Sequence, residues 1–181
     1  ASEMDIIAPV SLRINPDVDP KTHPYISTGL KANKFGIAHE DAIAAYKRAH
    51  ELPGLNPVGI DCHIGSQLTD ISPLIESLDK LLNVIDELTE LDIVLKHVDL
   101  GGGLGVTYDQ EKPPHPSEYL SIVKERLKDR ALNLVLEPGR SIAANAGIFV
   151  TRTILTKTNQ DQYFAVVDGA MNDLIRPSLY G

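Results

Sequence analysis

Three short polar runs could do chemistry together: His63-Ile64-Gly65-Ser66, Gly101-Gly102-Gly103-Leu104-Gly105 and Glu137-Pro138-Gly139-Arg140. The first offers an imidazole and a hydroxyl. The second offers backbone amides that can wrap an anion, because glycine accepts positive φ and lets the chain approach a ligand closely. The third offers a carboxylate, with a planar guanidinium suited to phosphate or carboxylate. Each also has a plainer reading. The glycines could be a flexible strand-to-loop transition, Glu137 and Arg140 an internal pair that stiffens a turn, and His63 a structural histidine. The run at 101–105 lacks the G-x-G-x-x-G spacing of a dinucleotide turn and the lysine of a P-loop.

The steps from His63 to Gly101 and from Gly101 to Glu137 are 38 and 36 residues, the length of one strand-helix unit with its loops. Repeated βα units bring the C-terminal ends of their strands to one face, where chemistry is placed. Strands are expected at 9–14, 58–64, 95–100 and 132–136. Helices are expected at 39–51, 71–90 and 117–129, with Ser72-Pro73 as the start signal of the second. Beyond Arg140 the pattern changes. Residues 147–157 and 162–168 read as two strands joined by the turn Asn159-Gln160-Asp161, a hairpin of an antiparallel region.

Side-chain parity puts Val10, Leu12 and Ile14 on one face of the first strand and Ser11, Arg13 and Asn15 on the other. In the second strand it sets Val58, Ile60, Cys62 and Ile64 against Gly59, Asp61 and His63. An open sheet covered on both faces would read as apolar on both, so a barrel with a polar mouth is favoured. Inward charges need partners, so Arg13 is expected to pair with Asp61, Asp99 or Glu137. Four βα units cannot close an eight-stranded barrel. The expected fold is therefore α/β: the C-terminal half of a (β/α)8 TIM barrel over 1–145, followed by the start of an antiparallel β-domain over 146–181.

Composition narrows the function. Hydrophobic residues make up 43% and charged residues 23%, enough apolar content for a packed core. The net charge of −8 argues against nucleic acid as the partner, and no apolar run approaches the length of a membrane helix. One cysteine, Cys62, excludes an internal disulfide framework and fits a cytoplasmic setting. No H-x-x-x-H or C-x-x-C spacing is present, so no metal site is expected. The N-terminus has neither the basic region nor the apolar run of a signal peptide, and a chain opening on Ala1 is expected to be processed or cut from something longer. Near the C-terminus, Arg176 before Pro177, with Tyr180 close by, could bind a carboxylate or anchor a loop.

Taken in order, the three runs join four others: Arg13-Ile14-Asn15-Pro16, His23-Pro24-Tyr25-Ile26-Ser27-Thr28-Gly29, Lys34-Phe35-Gly36-Ile37 and Met171-Asn172-Asp173-Leu174-Ile175-Arg176-Pro177. With Gln67 and the leading Asp99-Leu100 added, this set resembles the fold-type III pyridoxal-phosphate decarboxylases, the alanine-racemase-like barrel family, from about residue 10 to the end. It matches closely the branch that acts on meso-2,6-diaminoheptanedioate. The resemblance implies pyridoxal 5'-phosphate as cofactor, with His63 stacked on its ring and Glu137 at the pyridine nitrogen. A nearby anion there favours the protonated, electron-accepting ring. It also implies that Ser66, Gly101, Gly102, Gly103, Glu137, Pro138, Gly139 and Arg140 hold phosphate and ring. Arg140, Arg176 and Tyr180 would grip substrate carboxylates. The implied reaction is loss of CO2 from the D-centre to give L-lysine, the last step of lysine biosynthesis, in a homodimer. Related enzymes acting on ornithine, arginine or carboxynorspermidine, or a non-catalytic protein of the same fold, are the rivals. The resemblance puts the Schiff-base lysine before residue 1 and a cysteine-x-glutamate segment after residue 181. Lys31-Ala32-Asn33 follows no apolar strand and is not taken as that lysine. The chain by itself is thus expected to be inactive, because a nucleophilic lysine is needed.

Overall fold

The computed structural model describes residues 1–20 and 35–180, without the side chains of Ser2 and Tyr180. The chain divides into two compact units, Ala1–Ala144 and Asn145–Gly181.

The first unit is an α/β structure on a parallel sheet. Its strands are β1 (Ala8–Asn15), β2 (Ile37–Ala38), β3 (Leu55–Asp61), β4 (His97–Asp99) and β5 (Asn133–Val135), in the order β2-β1-β3-β4-β5. All four pairings are parallel. The sheet is one strand wider than the four expected, because Ile37 and Ala38 pair beside Ile14 and Asn15 at its edge. The second strand runs 55–61 rather than 58–64, so His63 lies past the strand end on the following loop. The fourth likewise stops at Val135 and leaves Glu137 on its loop.

The helices α1 (Ala42–Glu51), α2 (Ser72–Glu90) and α3 (Pro116–Leu127) cover the apolar face. On α2, Leu74, Leu78, Leu81, Ile85 and Leu88 recur at helical spacing and are all buried. They pack in one core with Ile60 and Val98 of the sheet and with Cys62 and Ile64 just past the end of β3. Burial at such positions stabilises by about 1.5–3 kcal/mol per large aliphatic side chain. Tyr46 of α1 is fully buried, and its hydroxyl donates to the Gly59 carbonyl at 2.6 Å, tying helix to sheet. Burial pushes its phenol well above the ordinary tyrosine range.

The start of α2 differs from the sequence reading, which takes Ser72 as its cap. The acceptor at the start of α2 is Asp70, whose Oδ1 receives the Ser72 amide at 2.8 Å and the Ser72 hydroxyl at 2.7 Å. Ser72 is therefore the donor, not the cap. The stop of α2 needs no glycine. Asp92 takes φ +60°, the Ile93 amide returns to the Leu88 carbonyl at 2.9 Å, and Asp92 N–H reaches Thr89 O at 3.1 Å. The buried Ile93 adds the apolar contact of such an end. At α3, the Nδ1 of His115 accepts the Ser117 amide at 3.2 Å and caps the helix.

Parity survives where the ladder is regular. Ile60, Cys62 and Ile64 are buried while Asp61 and His63 are half-buried. A register shift between Val10 and Ser11 pairs Val10 with Pro57 and Ser11 with Gly59, so Val58 has no Cα partner on β1. On the polar face, Arg13, Asp61 and Asp99 align across β1, β3 and β4. A Cβ on Gly59 would meet the His97 ring at 1.9 Å, so a larger residue there requires that ring to move.

The second unit holds β6 (Thr153–Asn159) and β7 (Gln162–Val167), an antiparallel hairpin. Its connection is tightened by Gln160 at φ +53°. The first strand begins at Thr153, not near Gly147. A short α5 (Arg176–Tyr180) follows.

Candidate active site

The glycine run forms a seam between neighbouring strand ends. Cys62 N–H reaches Asp99 O, Glu137 N–H reaches Gly101 O at 2.8 Å, and Leu68 N–H reaches Gly103 O at 2.9 Å. These approaches explain the residue type without a ligand. A Cβ on Gly101 (φ +64°) would meet Cys62 O at 2.6 Å, one on Gly102 would meet Glu137 O at 2.3 Å, and one on Gly103 (φ +113°) would meet Gly65 O at 2.5 Å. Two of the expected amide donors are engaged inside the protein. Gly101 N–H donates to Asp99 Oδ1 at 2.8 Å, and Gly102 N–H donates to His63 Nδ1 at 3.3 Å.

That second bond assigns the His63 tautomer. With Nδ1 accepting, the neutral ring carries its proton on Nε2. Burial holds the imidazole below its ordinary pKa, and Arg13 adds to this, while Glu137 and Asp99 pull it back up. His63 is thus a neutral, half-buried ring at the strand mouth.

Arg13 does not form the expected ion pair. Its Nη2 donates to the His63 carbonyl at 3.2 Å, and its guanidinium lies 5.3 Å from the centre of the Phe35 ring. Asp61 is satisfied instead by the Ser11 hydroxyl at 3.0 Å. Burial raises the Asp61 pKa; the Ser11 bond and Arg13 oppose this, and Asp99 adds to it. Cys62 faces the core, where burial and the nearby Asp61 push its thiol up to about 12, so it stays protonated.

Arg140 and Ser66 are 74 residues apart in sequence and meet directly, Arg140 Nε donating to Ser66 Oγ at 3.1 Å. Arg140 opens the four-residue helix α4 (Arg140–Ala143), after the turn Pro138-Gly139. Glu137 is exposed on the same loop. Arg140 Nη1 also donates to the hydroxyl of Tyr108 at 2.7 Å, a residue the sequence reading missed. Gln67 positions both loops. Its side-chain amide pairs with both backbone groups of Val106, at 2.6 Å and 3.1 Å. A cavity of about 260 Å³ backs the glycine run, walled by Leu74, Tyr119, Leu136 and Ile142. Its lining is apolar, and the polar residues His63, Ser66 and Arg140 stand outside it. Arg176 lies at the start of α5 in the second unit. Lys31 and the Tyr180 side chain lie outside the described residues.

This site is a neutral imidazole, a hydroxyl paired with a guanidinium, and a close-packed glycine seam at the C-terminal ends of parallel strands. Residues 1–144 match the family described as pyridoxal-dependent decarboxylase, pyridoxal binding domain, and the chain belongs to that family. Its cofactor is accordingly pyridoxal 5'-phosphate. The relatives are named diaminopimelate decarboxylase. The chain is 57% identical to that of Pseudomonas aeruginosa over 180 residues, 99% of this chain and 43% of that protein. It is 56% identical to that of Vibrio cholerae over 181 residues, again 43% of the relative. Among solved structures, diaminopimelate decarboxylase from Helicobacter pylori complexed with L-lysine aligns at TM-score 0.93 and 42% identity, over 99% of this chain and 45% of that one. Lysine decarboxylase from Selenomonas ruminantium aligns at TM-score 0.81 and 26% identity, over 99% and 46%. The chain thus spans less than half the length of these relatives.

The donor chemistry fits the cofactor. An anionic phosphate needs donors and a cation, and Ser66 with Arg140 supplies a hydroxyl beside a guanidinium. A planar ring needs a flat, uncharged neighbour, and His63 is held neutral.

Proposed function

We propose that the protein carrying this chain removes CO2 from meso-2,6-diaminoheptanedioate to give L-lysine, as a cytoplasmic homodimer. The observation that carries this reading is the direct Arg140–Ser66 contact beside His63, supported by relatives at up to 57% identity named for that reaction. In this reading the first unit, about 1–145, is the last four βα units of a (β/α)8 barrel. The second, about 146–181, begins an antiparallel β-domain.

Pyridoxal phosphate, when bound, supplies a sink for the electron pair left as CO2 departs. The residues of the chain hold and tune it. Ser66 and Arg140 take the phosphate, with Gly103 as the amide donor of the glycine run. Gly101 and Gly102 act by shaping that run and by fixing His63, which would stack on the ring. Glu137, next to Pro138 and Gly139, keeps the ring nitrogen protonated, because a nearby carboxylate favours the cation. Arg140, Arg176 and Tyr180 hold substrate carboxylates, which selects a diamino acid with a distal carboxylate.

The test is CO2 release by the intact protein across meso-2,6-diaminoheptanedioate, lysine, ornithine, arginine and carboxynorspermidine. Turnover confined to the first supports the reading, and a preference for any other overturns the substrate. No release with any of them, together with no spectral change on adding pyridoxal phosphate, overturns the enzyme. The 181-residue chain assayed alone is expected to release no CO2.

A further inference from the structure

We infer that Tyr108 is a positioning residue that presets Arg140 for the cofactor phosphate. The inference rests on the reading of the Ser66–Arg140 pair as the phosphate anchor.

Tyr108 meets Arg140 twice. Its hydroxyl accepts from Nη1 at 2.7 Å, and its ring centre lies 5.7 Å from the guanidinium carbon. Arg140 Nε is taken by Ser66 at 3.1 Å. A guanidinium has five N–H donors in a rigid plane. With Nε and one Nη1 donor fixed by Ser66 and Tyr108, the plane is oriented and the Nη2 edge is presented in one direction. Ser66 Oγ accepts from Arg140, so its own proton is available to a third group. Tyr108 thereby orients a cation and a hydroxyl donor toward a common anion.

Tyr108 is itself held. Glu111 Oε2 accepts the amides of Tyr108 at 3.0 Å and Asp109 at 2.7 Å, and the Thr107 hydroxyl donates to Glu111 O at 2.9 Å. The Gln67–Val106 pairing then fixes this loop to the one carrying Ser66. Tyr108 is 43% exposed, so its replacement leaves the core intact. An arginine otherwise loses much rotamer freedom on gripping an anion, and a preset side chain loses less.

The intact protein, stripped of cofactor, is titrated with pyridoxal 5'-phosphate and separately with pyridoxal, which lacks the phosphate. Tyr108→Phe is expected to weaken the first by about five-fold, the size of one ordinary hydrogen bond, and to leave the second unchanged. Tyr108→Ala, which also removes the ring, weakens the first further. In an Arg140→Ala background Tyr108→Phe is expected to add nothing. Variants that bind pyridoxal phosphate as the parent does would overturn the inference. So would equal weakening of both ligands, or an effect of Tyr108→Phe that persists without Arg140. A parent that binds no pyridoxal phosphate sinks the anchor reading and this inference with it. Normal parent binding with silent variants sinks the inference alone.

Discussion

The parallel sheet and the hairpin both carry apolar strands, but only the sheet buries them. Ile14, Ile60 and Val98 of the sheet, with Leu78 and Leu81 of α2 that covers it, have no exposed surface. Along β6 every residue is exposed, and on β7 Tyr163 reaches 87%. The difference decides where a polar side chain can be aimed. In the first unit packed strands fix the loops, so Arg140 meets Ser66 and Tyr108 in defined directions. In the second, β6 is exposed throughout and β7 nearly so.

Truncation separates the two regions most sharply. Leu78→Ala is expected to cost about 2–5 kcal/mol in chemical denaturation, since it empties a fully buried site. Leu155→Ala, at a half-exposed hairpin position, is expected to cost less than about 1 kcal/mol. Equal losses would break the contrast.

A second comparison lies inside the site. Gly102→Ala drives a Cβ to 2.3 Å from the Glu137 carbonyl and is expected to cost about 1–3 kcal/mol. Gly139→Ala meets nothing within 4 Å and is expected to stay within about 0.5 kcal/mol. The two glycines look alike in sequence, and only the first is closed in by backbone.

His63 sharpens the picture through pH. Its folded pKa lies below the ordinary value of about 6.5. The folded state therefore binds fewer protons than the unfolded one as pH falls through 6.5, and stability declines between about 6.5 and the lowered value. His63→Gln is expected to flatten this slope in thermal melts taken from about pH 7.5 to 5. An unchanged slope would mean that the ring is not held neutral by its surroundings.

The smallest effect belongs to the surface. Arg130 grips Asp86 with two hydrogen bonds, which hold the carboxyl below and the guanidinium above their ordinary ranges. The pair is largely solvated, so Arg130→Ala is expected to cost about 0.2–1 kcal/mol, and less in high salt.

Much of the first unit was legible in the sequence. The alternation of Ile60, Cys62 and Ile64 with Asp61 and His63 reports one buried face, because side-chain direction depends only on the pleat. The α2 stripe likewise depends only on helical period. Strand ends were misjudged at 58–64 because the apolar run continues past the last ladder bond into Cys62 and Ile64. The two-residue β2 was missed because so short a strand exists only through its neighbour.

The sequence by itself determined the βα alternation, the polar mouth, and the three loops that carry His63, the glycines and Glu137 with Arg140. Those features rest on neighbours two to four residues apart. The tertiary structure alone decided which groups meet across those loops: Gly102 N–H with His63 Nδ1, Arg140 with Ser66, Gln67 with Val106, and Tyr108 with Arg140. It also decided against an ion pair of Arg13 with Asp61, Asp99 or Glu137. Such meetings span 32 to 74 residues. They depend on the register of β3, β4 and β5, which sets Asp61 beside Asp99 and Asp99 beside Val135.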